Sequence, residues 1–176
     1  VEDGKSRRVN LVDQNGDAVK GHAGGVTCTK DRVYIANDST LLMFSLSELK
    51  NATTDTKVAV KQSFAVDNTA AYCFSDDEYL FVGEFYRAGN YETEKSHHYT
   101  TPDGQENKAI VSCYKLDDTG LLQTTDGQAY PLYCISVTGL VQGFAAYDGT
   151  CILSRSYGLS NSKLEYHSQP IDSGKT

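Results

Sequence analysis

Tryptophan is absent from this chain, methionine occurs once and proline three times in 176 residues. No apolar run approaches the ~18 residues that a membrane-crossing helix needs, so no membrane span is expected. Basic residues are also scarce: 16 Lys and Arg stand against 23 Asp and Glu, for a net charge of -7. The longest basic run is Arg7-Arg8. A nucleic-acid binder needs clustered cations to displace counterions from phosphates, so nucleic acid is excluded as a general partner.

Reaction signatures are missing as well. There is no G-x-S-x-G elbow, no P-loop and no dinucleotide fingerprint. The five cysteines (28, 73, 113, 134, 151) form no CxxC and no short metal spacing. Each lies in an apolar strand-like run, as in VTCT, AYCF and VSCY. They read as buried thiols acting as small hydrophobes, or as one disulfide with leftover thiols.

What is abundant is glycine and tyrosine, 15 and 12 residues, with 6 Phe. That mixture suits short strands and tight turns. Arg8–Asp13 alternates as a strand, and Gln14-Asn15-Gly16-Asp17 carries a hairpin signal. Asp13, Asn15 and Asp17 imitate the start of a calcium loop. Ala18 in place of glycine and Gly24 in place of glutamate return the stretch to a plain hairpin.

From Gly21 onward one layout repeats. Runs at Val26–Thr29, Val33–Ala36 and Leu41–Leu46 alternate with turns at Lys30-Asp31 and Asn37-Asp38-Ser39. Ser47-Glu48-Leu49 predicts one helical turn capped by Ser45 or Ser47, and Lys57–Val66 is the fourth run. The second copy runs through Ala70–Phe74, Tyr79–Phe85, Ala109–Leu116 and Tyr130–Val137. It carries an insertion at Tyr86–Asn107. The third has Phe144–Ala146, Cys151–Ser156 and Lys163–His167. It stops at a polar stretch, Ile171–Thr176, without a fourth run. Four-run units of roughly 40–50 residues are the signature of propeller blades. The expected fold is therefore all-β and β-propeller-like, a single domain with about three four-stranded blades visible. It is expected to be incomplete at both ends and to belong to a larger ring of roughly five to seven blades. Missing blades, or another chain, would complete that ring. A sandwich or open barrel is the competing architecture.

The stretches GHAGGV with YIANDSTLLMFSL, VGEFY with SHHYTTPDG, and VQGFA with LSRSYGLSNSKL resemble a group of uncharacterised exported bacterial β-propeller-like proteins. The similarity runs from about Arg8 to Tyr166. It implies an extracytoplasmic, secreted propeller with further strands on either side, and it implies no reaction.

On such a scaffold, function sits where the innermost strands begin. The residues there are His22, Asn68 and Gln142. Converging on an axis, they would hold a ligand head group, or, at His22 and Gln142, a divalent cation such as calcium. The structural alternative is that they bond blade backbones and plug the channel. The insertion offers Arg87, Tyr91, Glu92, Glu94, His97, His98 and Tyr99. Adjacent histidines in extended chain point to opposite sides, so one is expected beside Glu84 and the other in solvent. Arg155, in a strand interior, needs a partner: Glu84 or an anionic ligand. Tyr157 accompanies it in the RSYG stretch, followed by Ser160-Asn161. Asn37-Asp38-Ser39 and Asn51-Ala52-Thr53 fit the N-glycosylation pattern.

Besides an interaction protein whose open edge pairs with another chain, two functional classes follow. One is an exported propeller module that binds a ligand or partner, such as a small molecule or glycan, at the channel face. The other is a metal-assisted hydrolase or lactonase, with His22 near the metal and His98 or His97 as general base.

Overall fold

The computed structural model describes residues 6–159 and 161–168. The chain enters on β1 (Asn10–Val12) and turns at once. Asp13 Oδ1 accepts from the N–H groups of Asn15 and Asp17, closing the Asn-Gly hairpin. Then come β2 (Ala23–Thr29), β3 (Arg32–Asn37) and β4 (Thr40–Ser45). Asp38 and Ser39 both take positive φ, 43° and 65°, which closes the β3–β4 hairpin in two residues. Helix α1 (Leu46–Asn51) follows, its first turn capped by Ser45, whose hydroxyl accepts from the Glu48 N–H. Two strands come next, β5 (Lys57–Ala59) and β6 (Gln62–Ala65).

The second stretch holds β7 (Tyr72–Ser75) and β8 (Tyr79–Gly83). The inserted segment contains a 3-10 turn at Lys95–His97 and a small hairpin of β9 (Tyr99–Thr100) and β10 (Glu106–Asn107). Strands β11 (Ala109–Lys115) and β12 (Tyr133–Val137) resume the sheet. Last come β13 (Val141–Tyr147), β14 (Thr150–Arg155) and β15 (Lys163–Ser168).

These strands make an all-β structure. Its body is three antiparallel sheets, in the orders β2-β3-β4-β6, β12-β11-β8-β7 and β13-β14-β15. A core of Tyr34, Phe64, Leu80 and Tyr114 fills the space between the first and second sheets. A second core, with Phe81, Val111, Phe144 and Leu153, fills the space between the second and third. Successive residues of β8 therefore divide between two cores, Leu80 and Val82 to one and Phe81 to the other. This is why YLFVG reads as a continuous apolar run. Burying a side chain such as Phe64 or Leu80, each 0% exposed, contributes about 1.5–3 kcal/mol. A third cluster, around Phe44, Val58 and Val60, covers the outer face of the first sheet. Leu11 of β1 and Leu46 and Leu49 of α1 pack against it.

The first strands of the sheets lie side by side, β2 against β7 and β7 against β13. Glycine makes the first of these approaches feasible. A Cβ on Gly24 would stand 2.0 Å from the Ala71 carbonyl oxygen, and one on Gly25 2.8 Å from the Cys73 nitrogen. Further along, Thr27 Oγ1 accepts the Ser75 N–H at 2.9 Å, tying the two strands together.

The three expected units correspond to the three sheets, with one correction. Lys57–Val66 is not one strand. Its first half, β5, pairs in parallel with β1, and only β6 joins the first sheet. The chain steps sideways between them, with Val60 N–H on the Val12 carbonyl and Lys61 N–H on the Met43 carbonyl. The described residues close no ring, and the third sheet has three strands among them. Ser160 and the polar stretch Ile171–Thr176 lie outside the described residues. All five cysteines are thiols, which removes the disulfide alternative. Cys28 and Cys134 are exposed, contrary to the expectation that every thiol is buried. No helix among the described residues is long and apolar enough to cross a membrane.

Candidate functional site

His22 stands immediately before β2, Thr69–Ala71 just before β7, and Gln142 in the first turnings of β13. Because those strands are neighbours, all three places open on one cleft of about 510 Å³. Tyr157, which follows β14, lines it too. Three of the candidates read from the sequence are thus brought together, His22 from the edge of the first sheet and Gln142 and Tyr157 from the third. The inserted segment adds Tyr91 and Glu92 to the wall. Asp38 and Phe85 complete it, and neither was a site candidate in the sequence.

Local chemistry sets each of these groups. Asp38 occupies the β3–β4 hairpin, and its Oδ2 accepts the backbone N–H of His22 at 2.9 Å. Gly21 permits this approach: its φ is +114°, and a Cβ there would meet Asn37 and Asp38 side-chain atoms at 2.7 Å. Glu92 Oε1 accepts the Gly89 N–H at 2.6 Å, closing the turn that presents Tyr91. Phe85 meets Tyr91 edge-on at 5.3 Å and stacks on Tyr157 at 6.3 Å. The Arg87 guanidinium lies 3.9 Å from the centroid of the Tyr157 ring.

Asn68 is placed differently. It is buried, its Oδ1 accepting the Ala70 N–H and its Nδ2 donating to the Val82 carbonyl and to Ser112 Oγ. Its work is to hold Ala70 at φ 44°, so that the Thr69–Ala71 backbone forms a cleft wall. Beside it, the buried Tyr114 and Ser112 hydroxyls both donate to the carboxylate of the exposed Asp67.

Glu84 and the adjacent histidines form the next layer. Glu84 is 1% exposed, and burial raises its carboxyl above the ordinary value, opposed chiefly by His97. His97 Nδ1 lies 2.9 Å from Glu84 Oε1. The expectation of one inward histidine holds. The other, His98, is not simply solvated: its Nε2 is 3.1 Å from Thr93 Oγ1 and its ring meets Tyr86 edge-on. Neither histidine lines the cleft that holds His22, so neither is placed as a general base for chemistry there.

Arg155 does not pair with Glu84. Its partners are Glu165, at 2.6 Å, and the Gly139 carbonyl, at 3.0 Å. With Arg87, Lys108 and Tyr86 it lines an adjoining cleft of about 460 Å³ that shares Tyr157 with the first. A broader groove of about 920 Å³ runs along the Asp13–Lys20 hairpin, and no candidate residue lines it.

Among the described residues there is no cluster of three or more His, Cys, Asp or Glu side chains arranged to hold a metal ion. What the 510 Å³ cleft offers is aromatic surface, an imidazole, two carboxylates and an amide, a set suited to non-covalent recognition.

No family model matches the chain, and no curated protein matches it. Among solved structures, the crystal structure of the computationally designed Ika4 protein is similar at 15% identity with a TM-score of 0.36, covering 92% of this chain and 98% of that one. A likeness that slight bears on neither fold nor function.

Proposed function

We propose that the chain is a ligand-binding β-propeller-like module, with its antiparallel sheets as successive blades and the 510 Å³ cleft as its binding site. The blade assignment is supported by the meander order of each sheet, the adjacency of β2, β7 and β13, and a shared core between successive sheets. A further blade, from another part of the protein or another chain, has a face to pack on. Tyr147, Leu164 and Tyr166 of the third sheet are 81%, 61% and 65% exposed. An exported setting is supported by the resemblance of the GEFY, SHH and SRSYG stretches alone.

The observation that carries the binding reading is convergence. His22, Gln142 and Tyr157 come from separate places in the repeat, yet they wall one cleft together with Phe85 and Tyr91. The experiment is ligand-observed NMR with a chemically mixed small-molecule set, run on the wild-type chain and on Tyr91→Ala. Tyr91 is 55% exposed, so the variant should fold normally. Compounds whose saturation transfer disappears in the variant support the reading; a set whose every hit is indifferent to Tyr91 and Gln142 substitutions overturns it.

A further inference from the structure

We propose that the cleft takes a small organic cation, an ammonium group carried on a compact or methylated carbon skeleton. This rests on the binding reading above and specifies its ligand class.

The lining chemistry is one-sided. Two carboxylates, Asp38 and Glu92, line the cleft beside the His22 imidazole, and among the described residues no Lys or Arg lines it. Each carboxylate has one oxygen committed to a backbone N–H, Asp38 to that of His22 and Glu92 to that of Gly89. Those bonds fix where the negative charge sits without neutralising it. An anionic ligand would meet two like charges with no lysine or arginine among the described lining residues to offset them.

The aromatic side of the wall points the same way. Phe85, Tyr91 and Tyr157 surround the cleft, and aromatic faces are negative at the centre of the ring. Tyr157 already shows the behaviour: the Arg87 guanidinium rests 3.9 Å from its centroid. Arg87 belongs to the adjoining cleft and not to this one, so a ligand cation would find the carboxylates unpaired by lysine or arginine. Rings supply apolar contact to carbon substituents, while the carboxylates and the Gln142 amide orient the charged end. A neutral sugar could also stack on such rings, but it would leave the two carboxylate charges without an opposite charge.

The test compares choline with its uncharged carbon isostere and with methyl glucoside. Binding to the full chain is followed by amide chemical shifts at residues 91, 92 and 142. Choline is expected to bind about tenfold more tightly than the isostere, the increment that a desolvated cation–π and carboxylate site provides. That preference should shrink as salt is raised. Asp38→Asn keeps the oxygen that caps His22, and Glu92→Gln removes the other charge independently. Each should weaken choline severalfold while leaving the isostere unchanged. Equal binding of choline and isostere, or tighter binding of the glucoside, overturns the ammonium assignment while leaving a binding cleft in place. No shift at the cleft with any of the three overturns this assignment, whereas only a failure of the wider screen removes the binding reading.

Discussion

His97 reaches across thirteen residues to place its Nδ1 2.9 Å from Oε1 of Glu84, a carboxyl that is 1% exposed. The other carboxyl oxygen, Oε2, accepts the Ile110 N–H at 3.2 Å. Glu84 is the residue between β8 and Phe85, so one buried group links a sheet, the inserted segment and the cleft wall. The insertion is therefore fastened to the core at a point next to the proposed site.

Removing the histidine should loosen that fastening. His97→Ala leaves Glu84 Oε1 buried without its partner, a loss of about 1–3 kcal/mol. The urea midpoint should fall accordingly. Hydrogen exchange should speed up across the inserted segment 86–107 more than in β2–β4. Uniform protection across both regions would show that the pair contributes nothing to the position of the segment.

The pH dependence of Glu84 has a definite sign. Burial raises its carboxyl above the ordinary 4.5, so the folded chain binds that proton more tightly than the unfolded chain does. Its contribution is fully present below the ordinary value and is lost as pH rises through the higher folded value. Glu84→Gln keeps an acceptor for the Ile110 N–H but cannot ionise. Measured by urea unfolding from about pH 4 to about pH 7, the variant should gain on the wild type as pH rises. A gap that stays constant, or that closes in the opposite direction, contradicts this.

Two glycines in different first strands should respond oppositely. Gly24→Ala drives a Cβ to within 2.0 Å of the Ala71 carbonyl, a backbone atom that cannot swing away. The expected loss is about 1–3 kcal/mol or more, with the cleft wall at Thr69–Ala71 displaced. Gly143→Ala meets only Ser154 Cβ, at 3.7 Å, which is ordinary contact. Thermal melts should show a clear drop for the first and little change for the second. Equal drops would mean that close packing of β2 on β7 is not what the glycine serves.

The repeat made His22 and Gln142 legible, because it marks where a first strand begins without knowledge of what lies beside it. Asp38 and Phe85 were not legible in that way. Asp38 enters the cleft only because the β3–β4 hairpin folds back to bond the His22 N–H. Phe85 reads in sequence as one more apolar strand residue. KVAVKQSFAV alternates on both sides of Val60, so nothing in its pattern announces the step from the β1 pairing to the first sheet. Arg155 was rightly expected to need a partner. Its partner could be found only from the β14–β15 register, which sets Leu153 opposite Glu165 and so brings Glu165 to the same face as Arg155.

The cysteines give a test of the sheet arrangement that needs no ligand. Cys28 lies on β2 and Cys134 on β12, and both are exposed. The others face cores: Cys73 lies between the first and second sheets, and Cys113 and Cys151 lie between the second and third. Burial pushes the Cys73 thiol up to about 12 and the Cys113 thiol up to about 11. At about pH 8 both stay protonated as well as covered, and the thiolate is the reactive form. Cys28 and Cys134 are open to a reagent, and burial raises the Cys134 thiol, which slows its reaction. Labelling with a disulfide reagent, located by peptide mass spectrometry, should therefore modify Cys28 and Cys134 in the native chain. Cys73, Cys113 and Cys151 should react only as the chain unfolds, at rates that follow the denaturant. Rapid modification of Cys73 in the native chain would mean that the first and second sheets are not packed as described. Rapid modification of Cys113 or Cys151 would say the same of the second and third.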